Sequence, residues 1–113
     1  LRPTPVCIDG LDLVVWRRPL GDEELAADPS LGWRVFADMC PHRLARLSEG
    51  RIEPKTGCLQ CAYHGWEFNE SAACTRIPQV ADEESAKMRA NPRSGAVGYP
   101  VKIALKVVWV WLG

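Results

Sequence analysis

Residues 39–68 read MCPHRLARLSEGRIEPKTGCLQCAYHGWEF, and this stretch decides how the chain folds. It contains two short motifs, Cys40-x-His42 and Cys61-x-x-His64, and these include both histidines of the chain. Each motif offers one thiolate and one imidazole, which are the side chains that bind soft and borderline metal ions. The spacing therefore predicts two metal-binding loops whose four ligands converge on one site.

The way in which the ligands are grouped narrows the choice of metal. Zinc accepts two thiolates and two imidazoles, but zinc fingers usually place the two cysteines together and the two histidines together. Here each loop is mixed, as required by a two-iron, two-sulfide cluster in which two thiolates hold one iron and two imidazoles hold the other. We predict that Cys40, His42, Cys61 and His64 bind such a Rieske-type 2Fe-2S cluster. A zinc site and a buried polar group without metal are the alternatives.

The residues around the ligands resemble one group of Rieske proteins. The segments CPHRLARLSEGRI, LQCAYHGW and TRIPQ are similar to the Rieske domain of the plant-type Rieske non-haem iron oxygenases, the group of pheophorbide a oxygenase and the Rieske protein of the chloroplast inner envelope. The similarity runs from about Trp33 to Gln79 and continues more weakly to Gly113. It implies an all-β Rieske iron-sulfur fold, a small antiparallel barrel or sandwich, with a cluster-binding subdomain of two loops at about residues 38–79.

The resemblance also implies a function. Such oxygenases pass single electrons from the cluster to a mononuclear iron held by two histidines and a carboxylate. Both histidines of this chain are assigned to the cluster, so we expect residues 1–113 to be one electron-transfer domain, a fragment of a larger oxygenase that is not catalytic alone and has no catalytic residue of its own. A free-standing Rieske ferredoxin, which carries electrons between a reductase and a separate enzyme, is the alternative. A structural zinc module or protein-binding domain ranks third.

Partners and location follow from the same resemblance. It implies a ferredoxin or a reductase as the electron donor, an oxygenase catalytic domain as the acceptor, and a parent protein that is a homo-oligomer. It further implies a chloroplast location, or the cytoplasm if the source is bacterial.

The resemblance places the cluster among those of low reduction potential. In the respiratory and photosynthetic Rieske proteins a disulfide joins the positions that here are Ala45 and Tyr63, and hydroxyl donors occupy the positions of Trp66 and Phe68. Neither feature can form in this chain. We therefore expect a potential near the lower end of the Rieske span of roughly −150 to +300 mV.

Composition sets limits on other functions. The chain has 113 residues, enough for one domain, and its 14 basic and 14 acidic residues give it no charge pattern for nucleic acid or an anionic membrane. No apolar run approaches the roughly 18 residues that a membrane span needs. The sequence has no recognisable targeting segment and does not begin with methionine. We expect a processed product or an excised piece.

Three cysteines remain beyond the two assigned to iron. An odd remainder argues against a disulfide framework and favours a reducing compartment. Cys7 alternates within a predicted strand and is interpreted as a small core residue. Cys58 could pair with Cys74 if the fold brought them close.

Alternation and turn residues predict the elements. We expect a hairpin of 5–8 and 11–17 around Asp9-Gly10, a solvated loop with at most one helical turn at 19–32, and a strand at 33–39. A hairpin at 50–61 and a strand from Trp66 should follow. The rest should form a short helix or loop at 81–90 and final strands at 99–103 and 106–112 that pair with the opening hairpin.

Overall fold

A four-stranded antiparallel sheet forms the base of the molecule. The computed structural model describes residues 2–28, 32–41, 45–62, 65–77, 82–90, 94–104 and 107–112. The first sheet has the order β1-β2-β3-β8, with β1 at Thr4–Ile8, β2 at Leu11–Arg17, β3 at Trp33–Ala37 and β8 at Gly98–Tyr99. The all-β antiparallel prediction is confirmed.

The opening hairpin turns where the sequence predicts. Ile8 pairs with Leu11, and the two residues between them, Asp9 and Gly10, have φ values of 50° and 78°. Two positive φ values in succession define a type I′ turn, whose twist matches that of the flanking strands. The Asp-Gly pair therefore sets the register of β1 on β2.

A second four-stranded sheet is inserted between β3 and β8. It is a meander in sequence order, with β4 at Arg51–Ile52, β5 at Leu59–Gln60, β6 at Glu67–Phe68 and β7 at Cys74–Arg76. The predicted hairpin at 50–61 is β4 and β5, and Gly57 closes its turn with a φ of 72° and an N–H bond to the Glu53 carbonyl at 2.8 Å. Because β3 and β8 are neighbours, the inserted sheet begins and ends on the same edge of the first sheet.

Two α-helices lie outside the sheets in the part of the chain that the structure describes. Helix α1 spans Asp22–Ala27, so the segment interpreted mainly as a solvated loop contains a short helix. The Glu24 carboxylate accepts from the Gly21 N–H at 3.5 Å, which helps to explain why the helix begins there. Helix α2 spans Asp82–Ala90 and follows the prediction for 81–90.

The last strands do not pair with the opening hairpin. Val101–Ala104 forms β9 and Val107–Val110 forms β10, and these two pair with each other. Among the strands described after α2, β8 alone joins the first sheet, beside β3. The prediction was wrong because apolar strands fit more than one partner, and β9 pairs with the strand next to it in sequence.

Both faces of the first sheet are covered near β3. Val14, Trp16 and Phe36 face the second sheet and are buried. On the opposite face a groove of about 410 Å³ lies between β1–β3 and β10 and is lined by apolar side chains, among them Val35 and Val108. The neighbouring residues Val35 and Phe36 are therefore both buried.

Cys7 is a correction to the sequence interpretation. It lies on the edge strand β1 opposite Asp12, and its side chain is exposed rather than in the core. The alternation of β1 shows which residues share a face. It does not show where along the strand the covering sheet ends.

Candidate metal centre

The first cysteine loop leaves directly from the end of β3. Asp38 and Met39 follow the strand, and Cys40 comes next with no exposed surface. The Cys40 N–H donates to the Ala45 carbonyl at 2.7 Å, which ties the two ends of the loop together. His42 lies outside the described residues. The strand thus delivers Cys40 into the interior at the base of a closed loop.

The second cysteine loop is closed in the same way. The Cys61 N–H donates to the Trp66 carbonyl at 2.8 Å, and the Gly65 N–H donates to the Cys61 carbonyl at 3.2 Å. Gly65 has a φ of 72°, a conformation that a β-carbon disfavours, as its sequence position predicts. Tyr63 and His64 lie outside the described residues.

Both cysteine side chains belong to one apolar cluster. Cys61 is only 2% exposed, and the cluster that contains it and Cys40 also holds residues from both sheets and from the segments beside them: Val14, Trp16, Phe36, Leu47, Leu59, Trp66, Phe68, Ala72, Cys74 and Ile77. Trp66 and Phe68 point inward, as the alternation predicts. The fold therefore brings together the two loops that carry the predicted ligands and shields their thiols from water.

The described residues fit an iron-sulfur cluster in their chemistry. Two buried thiols, one from each closed loop, are the thiolate half of the predicted ligand set, and an apolar surround is typical of such centres. Within the ranges that the structure describes, no three His, Cys, Asp or Glu side chains form a metal site. The imidazole half of the set, His42 and His64, is outside those ranges.

Two buried carboxylates near the loops were missed by the sequence analysis. Asp38 precedes Cys40 by two residues, and Glu67 lies between the inward-facing Trp66 and Phe68. The Glu67 carboxylate accepts from Thr56 Oγ1 at 2.8 Å and from Arg76 Nη1 at 3.3 Å. No local pattern marks either residue as buried, because their partners come from other elements.

The remaining thiols differ in environment. Cys74 is buried, and its burial raises the pKa of the thiol. Its side chain lies in the core with Phe68, its register partner on β6. Cys58 Sγ lies 3.8 Å from Thr75 Oγ1. Neither Cys58 nor Cys74 forms a disulfide in this structure, so the pairing considered from the sequence is absent.

An ion-pair clamp joins the two sheets. Glu70, in the turn between β6 and β7, contacts Arg18 Nε at 2.7 Å and Arg34 Nη2 at 2.5 Å. Arg18 also donates to Glu24 of α1 at 2.5 Å. The hydrogen bond to Glu24 raises the pKa of Arg18, and the same bond lowers the pKa of Glu24. We call Arg18, Glu24, Arg34 and Glu70 the clamp.

Comparison with known proteins identifies the fold. The model of the Rieske [2Fe-2S] domain matches residues 2–99. The chain belongs to the Rieske domain family. Its cofactor is thereby a Rieske-type 2Fe-2S cluster, which confirms the prediction made from the mixed motifs. None of the helices in the described part of the chain has the length and apolarity of a membrane span.

Several relatives of this Rieske domain are plant oxygenases. The chain is 47% identical over 110 residues to pheophorbide a oxygenase, chloroplastic, of Oryza sativa subsp. japonica, which covers 96% of this chain and 19% of that protein. It is 46% identical over 80 residues to Protein TIC 55, chloroplastic, of Arabidopsis thaliana, covering 70% of this chain and 14% of that protein. The plant-type resemblance is confirmed, and the chain spans about a fifth or less of the length of these relatives.

Two solved structures share the fold of this chain. The crystal structure of dicamba monooxygenase bound to dicamba superposes with a TM-score of 0.79 at 28% identity, covering 99% of this chain and 30% of that one. The demethylase NdmB of Pseudomonas putida CBB5 gives a TM-score of 0.77 at 31% identity, covering 99% of this chain and 29% of that one. Electron transfer through the cluster is the role that this domain has in common with them.

Proposed function

We propose that this Rieske domain feeds electrons to the mononuclear iron of an oxygenase catalytic domain that lies outside these 113 residues, and that Cys40, His42, Cys61 and His64 hold its cluster. The observation that carries the proposal is the convergence of two buried cysteines, each at the base of a closed loop, in one apolar cluster. Relatives that are oxygenases about five times as long support the assignment to an electron-transfer domain.

The residues around the thiols supply what an electron carrier needs from its protein. When bound, the cluster accepts and releases one electron at a time. The buried Leu47, Leu59 and Phe68 keep water from the thiol side of the site. The closed loops fix the direction of each thiol before metal arrives, which limits the rearrangement that accompanies a change in charge.

A free-standing ferredoxin is the alternative carrier. The oxygenases among the relatives favour an electron-transfer domain of an oxygenase, because the match to pheophorbide a oxygenase extends over 96% of this chain. With the histidines at 42 and 64 on the cluster, the 113 residues offer no histidine pair for a mononuclear iron. We accordingly infer that the acceptor is a catalytic domain of a longer parent protein, which forms a homo-oligomer.

Donor and location complete the proposal. A ferredoxin or a reductase supplies the electron, and the chloroplast is the compartment, because relatives such as those of Oryza sativa and Arabidopsis thaliana are chloroplast proteins. In a bacterial source the compartment would be the cytoplasm.

The ligand assignment is tested by metal content and spectra. The purified chain should be red-brown and contain iron and acid-labile sulfide in equal amounts. Cys40→Ser and Cys61→Ser should abolish the cluster, whereas Cys74→Ser, a control matched for burial, and the exposed Cys7→Ser should keep it. One zinc per chain without sulfide, or a cluster that survives Cys40→Ser, would contradict the assignment.

The acceptor assignment needs a second experiment. The chain should take up one electron per cluster from dithionite or a ferredoxin-type donor, yet form no oxygenated product with dioxygen and a candidate substrate, even after ferrous iron is added. The same assay on the product of the intact gene should give turnover. Turnover by the 113 residues alone would overturn the proposal, and an intact gene that encodes nothing beyond this domain would favour the ferredoxin.

A further inference from the structure

The Asp38 carboxylate is the most completely buried acid next to a cysteine loop. Its side chain has no exposed surface, although the residue lies only two positions before Cys40. Oδ1 accepts from the Ser48 N–H at 2.7 Å, and Oδ2 accepts from Ser48 Oγ, also at 2.7 Å. Arg46 Nη1 lies 3.4 Å from Oδ2 and supplies a positive charge. The Asp38 carboxylate thus contacts Arg46 and Ser48, the two ends of the short segment that follows the first loop.

Ser48 connects this carboxylate to the second loop. It is the middle residue of a 3-10 helix at Leu47–Glu49, whose last turn is closed by the Gly50 N–H donating to the Leu47 carbonyl at 3.0 Å. Gly50 packs so closely on β5 that a β-carbon there would overlap the Gln60 carbonyl oxygen. Gln60 is the residue before Cys61. A continuous set of contacts therefore runs from the start of one cysteine loop to the start of the other.

Glu53 has the same kinds of hydrogen-bond partner as Asp38, and comparing the two acids shows how Asp38 differs. Glu53 accepts from the Lys55 N–H at 3.2 Å and from Arg51 at 2.7 Å, so it too binds one backbone amide and one arginine. Its contacts lie in β4 and in the turn that follows, and Arg51 Nε in turn donates to Gln60 Oε1 at 2.8 Å. Glu53 therefore reaches only the second cysteine loop, whereas Asp38 joins the two loops.

We propose that Asp38 is a positioning residue, which sets the separation of the Cys40 and Cys61 loops through Ser48 and the contact of Gly50 with Gln60. The proposal rests on the function proposed above, in which both cysteines bind the cluster. The carboxylate suits this task because it accepts from an amide and a hydroxyl at once, and because such bonds to a buried charge are strong and short. An apolar residue of the same size would leave the Ser48 N–H buried without its acceptor.

Variants of Asp38 and Ser48 separate positioning from general stability. In Asp38→Asn the amide oxygen can still accept from the Ser48 N–H, but an amide N–H₂ replaces the acceptor that faces Arg46. Ser48→Ala removes only the hydroxyl bond, and Glu53→Gln is the matched control. We expect Asp38→Asn to lose its cluster to a chelator about tenfold faster than the wild-type chain. Ser48→Ala should lose it by a smaller factor, and Glu53→Gln at the wild-type rate.

The spectrum of the reduced cluster provides a readout that loss of stability alone does not move. If Asp38 sets the loop separation, the paramagnetic resonance lines of Asp38→Asn should shift or broaden while the cluster is still fully loaded. Glu53→Gln should keep the wild-type lines even where its unfolding temperature falls. Wild-type lines and wild-type rates of cluster loss in both Asp38→Asn and Ser48→Ala would overturn the proposal, as would equal changes in Glu53→Gln.

The failure of the proposed function looks different. If the wild-type chain carried no cluster, or if Cys40→Ser retained it, the ligand assignment itself would be wrong. If the wild-type cluster forms and the cysteine variants lose it while Asp38→Asn behaves as wild type, only the role of Asp38 is refuted.

Discussion

Replacing Glu70 by glutamine should loosen the inserted sheet from the base of the molecule. The Glu70 carboxylate forms ion pairs with two guanidinium groups, with Arg18 Nε at 2.7 Å just after β2 and with Arg34 Nη2 at 2.5 Å in β3. Glutamine has nearly the same shape but no charge. It leaves two arginines facing one another across a neutral amide, so that an attraction is replaced by repulsion.

The size of the effect follows from the exposure of the clamp. Bonds to charged groups are worth about 1.5–3 kcal/mol each when buried, whereas fully exposed pairs are worth about 0–1 kcal/mol. The side chains of Arg18, Arg34 and Glu70 are 26%, 34% and 34% exposed, which lies between these limits. Two such pairs give a loss of about 1–3 kcal/mol in the free energy of unfolding. For a domain of this length that corresponds to a fall in Tm of about 4–12 °C.

Thermal unfolding of the cluster-loaded chain measures this loss, and salt identifies its origin. The difference between wild type and Glu70→Gln should shrink as sodium chloride is raised, since counterions screen partly exposed charges. Glu24→Gln is the control, because Glu24 contacts only Arg18 of the two arginines and should cost less. A Tm for Glu70→Gln equal to that of Glu24→Gln, or a difference that salt does not change, would refute the reasoning.

Two further predictions concern thiols and potential. Cys7 should react with iodoacetamide in the folded chain while Cys74 stays protected. The folded-state pKa of Cys74 is raised, so the stability that the buried neutral thiol contributes is present below the pKa of the unfolded thiol and is lost as pH rises through the folded pKa. The difference in the free energy of unfolding between wild type and Cys74→Ala should therefore be smaller at alkaline pH than at pH 7. Equal labelling of both thiols would contradict the burial assigned here. Phe68→Tyr, with Trp66→Ser as a second variant, should raise the reduction potential, because each hydroxyl can donate to sulfur and stabilise the more negative state. An unchanged reduction potential with an intact absorption spectrum would show that these hydrogen bonds do not control the potential.

Local chemistry explains why much of this molecule is predictable from its sequence. Asp9-Gly10 requires two positive φ values and Gly65 one, and the structure has all three. The alternation from Trp66 to Phe68 gave the correct inward face. These features depend on residues adjacent in sequence, and the mixed Cys/His motifs are equally local. The Cys/His motifs were sufficient to predict the family and the cofactor.

The failures share a physical cause, which is that burial depends on partners distant in sequence. Asp38 follows β3 directly and continues the face of Arg34 and Phe36, and nothing in that pattern shows that Ser48 will enclose its carboxylate. Cys7 has the alternation of a core residue but lies on an edge strand. The pairing of β9 with β10 was missed because apolar strands fit more than one partner, and pattern alone does not choose among them.

The topology explains how loops on a small sheet can hold Cys40 and Cys61 steadily. The inserted sheet itself has strands of two or three residues, which are too short to be stable alone. It is supported on the first sheet at three places: by the exit of β3 before Cys40, by the return through Gly98, which pairs with Phe36, and by the clamp at Glu70. An electron carrier gains or loses a charge in each cycle, so its ligands must resist moving with that change. Anchoring both ends of the insertion to adjacent strands transfers the stiffness of the larger sheet to the two cysteine loops, and this holds whichever acceptor the electron reaches.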